Sequence, residues 1–230
     1  MKKIKILNLY ACLGGNRYKW DEVAKEANIE IEVTAVEWDE ELAKLYQERF
    51  PNDKVIVTDA HQYLLENFKN FDFIWSSPPC PSHSRINYSF KNRSKKGFLK
   101  YPDFKLYEEV VFLDNFFYGG WVVENVIPYY EPLIKAQKRG RHMYWSSFKL
   151  PNNLKEREAP FIKITPNSKK PKDLILKRCE FHEIDLQNYM GKQSKEKIAN
   201  NLVDYEAGRT IFETFLGITK KANVKQTELF

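Results

Sequence analysis

"KIKILNLYACLGG", residues 3–15, is the stretch on which the fold turns. Its apolar and polar residues alternate over 3–10, which predicts a strand. Ala11, Cys12, Leu13, Gly14 and Gly15 then form a small-residue turn into a helix over 18–27. The basic, apolar start resembles a signal peptide, but Lys5 and Asn8 interrupt the run, so the strand reading prevails.

The same unit repeats downstream. IEVTAVEW (31–38) is a second strand; Asp39 is placed to cap a helix over 40–50, and Pro51 stands just beyond it. KVIVTDA (54–60) is a third strand leading to a short helix, and FDFIWSS (71–77) is a fourth, apolar enough to be central. A helix over 104–117 precedes a fifth strand, GGWVVENV (119–126), and RHMYWSSFKL (141–150) reads as another. Repeated β-α-β with short connections implies an α/β fold, a mostly parallel sheet with helices on both faces. Ligands of such sheets bind beyond the carboxyl ends of the strands.

Composition bounds the rest. The chain has 230 residues, of which 43% are hydrophobic and 15% aromatic, so a core forms without disulfides or a structural metal. The three cysteines, Cys12, Cys80 and Cys179, are far apart and show no zinc spacing, which argues for a reducing, cytoplasmic setting and no metal. No stretch approaches the length of a membrane span. The net charge of +6 equals the charge of residues 81–100, which hold Arg85, Lys91, Arg93, Lys95, Lys96 and Lys100 and no Asp or Glu. That segment is either a solvated loop or a phosphate-contacting one, and its interleaved Tyr88, Phe90 and Phe98 suit nucleic acid. Residues 151–197 are Pro- and Lys-rich with weak periodicity and read as a small insertion after a core of 1–150. A helix returning to the core (198–217) and a polar tail (218–230) follow.

The residues with chemistry stand at the predicted strand ends. Glu37 is suited to accept hydrogen bonds from ribose hydroxyls, Trp38 to stack on a purine, and Asp59 to accept from an adenine amino group. Each also has an ordinary reading as a cap or surface group. Cys80 follows Pro78 and Pro79 at the end of the fourth strand; a free cysteine is usually a small buried hydrophobe, but the basic segment after it is expected to lower its pKa and favour the thiolate. Glu124, at an apolar strand end, is expected to be desolvated and to hold its proton.

Pro79-Cys80, Glu124-Asn125-Val126 and Gln137-Lys138-Arg139-Gly140-Arg141 resemble, in order, motifs of the cytosine-5 DNA methyltransferase family, short phage-like members included. Asn8 to Gly15 is similar to the family's opening Asp-Leu-Phe-Ala-Gly-x-Gly-Gly, with Cys12 for the first glycine and Asn8 for the acid. The resemblance implies a Rossmann-like S-adenosylmethionine-dependent methyltransferase with a reduced recognition insertion. It implies cofactor contacts from Tyr10, Cys12, Gly14, Gly15, Glu37, Trp38, Asp59, Ala60, Pro78 and Asn201. It also implies a base flipped out of duplex DNA and attacked by Cys80, with Glu124, Arg139 and Arg141 holding the ring. Ser82, Ser84, Arg85, Lys91, Arg93, Lys95 and Lys96 would line the DNA. With fewer than sixty residues between Arg141 and Asn200, target recognition is minimal, directed at a very short site, or supplied by a partner subunit. Two other readings stay open: Ser77-Pro78-Pro79 resembles the motif of amino-methyltransferases, and a non-catalytic nucleic-acid-binding relative would share the fold. RNA is an alternative substrate.

Overall fold

A computed structural model describes residues 2–85, 87, 100–140, 142–152, 154 and 171–218, with side chains from 175 onward in the last stretch. Five strands form the parallel part of one sheet: β1 (Lys2–Leu9), β2 (Ile29–Glu37), β3 (Lys54–Val57), β4 (Phe73–Ser76) and β5 (Gly120–Val126). β6 (Gln137–Arg139) and β7 (His142–Ser146) extend it antiparallel, giving the order β3-β2-β1-β4-β5-β7-β6. Chain order reverses between β1 and β4, the switch point at which such sheets hold ligands.

The alternation in β1 feeds two cores. Ile4 and Ile6 pack with Trp20 and Val23 of α1 (Trp20–Glu26) and with Ile211 and Phe212 of α7 (Tyr205–Phe215). Leu7 and Leu9 pack on the opposite face against Leu64 of α3 (Ala60–Asn67) and Leu106, Val110 and Leu113 of α4 (Lys105–Phe116). α2 (Glu40–Arg49) starts at Asp39, whose side chain accepts the N–H groups of Glu41 and Leu42. No helix among the described residues is long and apolar enough to cross a membrane.

Three elements differ from the sequence reading. β3 stops at Val57 rather than 60, because Asp59 accepts the Gln62 N–H at 2.8 Å and starts α3. β6 was not anticipated; three residues carry no measurable period. Within 151–197 there is a helix, α5 (Pro171–Phe181), with proline at its first position, where a missing N–H costs nothing. α6 (Lys195–Asn201) follows, capped by Ser194.

Candidate active site

The turn after β1 is built around Glu37. One carboxyl oxygen accepts the Cys12 N–H at 2.9 Å and the other accepts the Asp39 N–H at 3.1 Å, which ties the ends of β1 and β2 together. Burial pushes the Glu37 pKa up, and these main-chain donors pull it back. Cys12 sits at φ 46 and Tyr10 at φ 56, in the left-handed region that favours glycine. Gly14 turns beneath the rings of Tyr46 and Phe50. A Cβ on Gly15 would stand 2.4 Å from the Val203 carbonyl, so the segment after α6 closes directly on this turn. Asn201 is exposed at that junction.

These residues fit a nucleoside cofactor. Trp38, just past the end of β2, is 78% exposed, and no ring stacks on it among the described residues. Glu37 retains lone pairs for ligand hydroxyls beyond the two main-chain donors. Asp59 caps α3 with one oxygen, holds the other 3.8 Å from Lys105, and remains largely exposed; Ala60 is buried behind it.

On the other side of the switch point, β4 ends in Ser76 and the chain passes through a buried Pro78 to a half-buried Cys80. The Asn125 amide donates to the Pro78 carbonyl at 2.9 Å, which aligns the Cys80 turn with the end of β5. Cys80 does not show the lowered pKa expected of it. Burial, with the Glu124 carboxylate adding to it, pushes the thiol up to about 11. Glu124 behaves as expected: at 6% exposure, burial pushes it up to about 7 against a hydrogen bond with Ser77.

Arg139 does not reach toward Cys80. Its guanidinium donates to the carbonyls of Pro151, Leu150 and Lys138 at 2.5, 2.7 and 2.9 Å, fastening β6 to the chain that follows β7. Ser82 accepts the Asp103 N–H at 3.1 Å, Ser84 bridges Pro128, and Arg85 Nε donates to the Pro128 carbonyl at 3.3 Å. Arg141, Lys91, Arg93, Lys95 and Lys96 lie outside the described residues.

Sequence reasoning missed three groups. His142 Nε2 stands 3.6 Å from Glu124, brought there by the antiparallel β5–β7 pairing; its only sequence signal is its place after Arg141. His83 is 1% exposed, bonds Tyr130 through Nδ1 at 2.5 Å, and has its pKa lowered by burial. Glu109, on α4, is 0% exposed.

The sheet order and the helices on both faces define the class: this is the Rossmann-like fold of S-adenosylmethionine-dependent methyltransferases. The methyltransferase EhMeth of Entamoeba histolytica shares the fold at 12% identity, with 96% of this chain covering 100% of that one and a TM-score of 0.57. The model of the C-5 cytosine-specific DNA methylase family matches residues 4–110. DNMT2 of Spodoptera frugiperda, in a mutant form, is 25% identical over 54% of this chain; only 35% of its own length is covered, with a TM-score of 0.36. No curated protein sequence matches the chain.

Proposed function

We propose that the protein methylates carbon 5 of cytosine in duplex DNA. The observation carrying this reading is the pair at adjacent strand ends, a cysteine after β4 and a carboxyl on β5 that holds a proton up to about pH 7. A base entering between them meets a nucleophile and an acid together. As the Cys80 S–H proton passes to water and the sulfur bonds to ring carbon 6, Glu124 gives its proton to the ring nitrogen, and the electron pair of the carbon 5–carbon 6 double bond moves to carbon 5. Bound S-adenosylmethionine supplies an electrophilic methyl group for that carbon. Loss of the carbon 5 proton to water then breaks the carbon–sulfur bond and frees Cys80 as thiolate, and the ring nitrogen returns its proton to Glu124. Glu37, Trp38 and Asp59 hold the nucleoside part of the cofactor. Arg141 donates to the base carbonyl. Target recognition falls to 151–197 or to a partner subunit.

A second reading has one observation in its favour. Cys80 is held as a thiol, on a Ser77-Pro78-Pro79 turn that resembles amino-methyltransferases, which methylate an exocyclic nitrogen without a nucleophile.

Both are tested by incubating mixed-sequence duplex DNA and tRNA with S-adenosylmethionine and wild type or Cys80→Ser, then separating the methylated nucleosides by chromatography with mass detection. The expected product is 5-methylcytidine of the deoxy series, from wild type alone. Amino-methylated product surviving Cys80→Ser establishes the second reading, and product in tRNA alone moves the substrate to RNA.

A further inference from the structure

Helix α4 buries Leu106, Glu109, Val110 and Leu113, the spacing of an apolar stripe facing a core. A carboxyl in such a stripe is expensive unless every oxygen is bonded. Glu109 is fully bonded, and its partners share one property. Tyr10 Oη donates to Oε1 at 2.6 Å, Ser76 Oγ donates to Oε2 at 2.5 Å, and His61 Nδ1 lies 3.1 Å from Oε1. Tyr10 opens the turn that leads to Glu37's partner Cys12. His61 follows Asp59 and Ala60 at the start of α3, and Ser76 is the last residue of β4 before Ser77-Pro78-Pro79-Cys80.

We propose that Glu109 is a positioning residue that joins the two halves of the site, holding the cofactor-side ends through Tyr10 and His61 and the nucleophile turn through Ser76. The inference rests on the reading of Cys80 and S-adenosylmethionine given above. Glu109 touches neither reacting group. Its two oxygens face opposite sides of the switch point, so displacement of one strand end is transmitted to the other through a single rigid carboxyl.

The test needs no turnover. S-adenosylhomocysteine binding is measured by calorimetry, and Cys80 alkylation by iodoacetamide is followed by peptide mass spectrometry. Both are done on the full chain, with melting temperature as a third readout. Tyr10→Phe is expected to weaken S-adenosylhomocysteine binding about tenfold while leaving Cys80 alkylation near wild type. Ser76→Ala is expected to do the reverse, speeding alkylation of the half-buried thiol about tenfold with binding unchanged. Glu109→Gln is expected to move both. If Glu109→Gln does not fold, the separated effects of Tyr10→Phe and Ser76→Ala carry the inference. A melting temperature lowered in all three variants, with binding and alkylation both within twofold of wild type, overturns it and leaves Glu109 a packing group. Failure of wild type itself to bind S-adenosylhomocysteine overturns the cofactor reading, and the inference with it.

Discussion

Beneath the turn at residues 10–17, charges hold the backbone; beneath the turn at 78–85, main-chain hydrogen bonds do. Arg17, only 4% exposed in its side chain, forks onto Asp53 at 2.9 Å on both oxygens and onto Asp21 at 2.8 and 3.0 Å, and Tyr46 adds a third bond to Asp53. The Cys80 turn has no such pair among the described residues. Asn125 and Arg85 donate to the carbonyls of Pro78 and Pro128, and the Tyr129 N–H donates to the His83 carbonyl at 3.0 Å. Its ionisable groups are shifted toward their neutral forms: Cys80 and Glu124 upward, His83 downward, each by burial first. The difference separates two tasks. A fixed ion pair suits a turn that must keep one shape. A dry wall of neutral groups suits a place where protons change hands, because small changes in surroundings move their pKa values far.

The strongest way to break this comparison is Glu124→Gln. On the proposed mechanism it lowers kcat/KM about 10²–10⁴-fold. Wild-type kcat/KM rises with pH up to about 7 and then levels off toward about 11, because the gain in thiolate is matched by loss of the Glu124 proton. In the variant the rise continues past 7, and a break retained there in a full pH profile removes Glu124 as the acid. The same group has a stability signature. A carboxyl whose folded pKa lies above its unfolded one stabilises at low pH. That contribution is present below about 4.5 and lost as pH passes through about 7, roughly 3 kcal/mol in all. Denaturant titrations at pH 4.5 and 8 should therefore favour Glu124→Gln over wild type only at the higher pH.

Asp53→Asn tests the other half. Leaving Arg17 buried without its carboxylate is expected to destabilise the protein by about 3–5 kcal/mol, read as a shift in the urea midpoint. A loss under 1 kcal/mol would mean that Asp21 alone satisfies Arg17. Asp39→Ala, which uncaps α2 and frees the Gln193 amide that donates to Asp39 at 2.7 Å, should remove about 1 kcal/mol. The smallest effect belongs to His61, whose pKa is raised chiefly by its bond to Glu109. Its contribution is present below the ordinary histidine range and lost as pH climbs through the raised value. His61→Asn should therefore cost stability, by less than about 1 kcal/mol, at pH 5.5 and nothing at pH 9. An equal loss at both would show that shape, not charge, matters there.

Much of this was legible in the chain because strands of alternating or continuous apolar residues announce their own ends. Glu37, Asp59, Cys80 and Glu124 were located from where such runs stop, and Asp39 from its position before a helical period. What was not legible depended on partners remote in sequence or on burial. Arg17 and Asp53 are 36 positions apart, and neither position differs in type from a surface charge. Glu109 is one of two adjacent acids on its helix, and only its phase in the 106–113 stripe turns it inward. The Cys80 pKa was misjudged in direction because nearby sequence charge was weighed and desolvation was not. Arg139 sat in a recognisable motif, yet the three-residue β6 that aims it at Leu150 and Pro151 leaves no periodic trace.

Trp20 donates to the Gly208 carbonyl across 188 positions, and a Cβ at 208 would lie 2.2 Å from the Asn16 carbonyl. The turn after β1 is thus completed by a helix made 188 positions later. At about 5–20 residues per second, the nascent chain carries that turn unfinished for roughly 10–40 s. Through that interval the apolar face awaiting α7 is open to chaperones. Ribosome-bound chains stalled before Gly208 emerges should remain protease-sensitive at the cofactor turn even after β1 to β5 have been made.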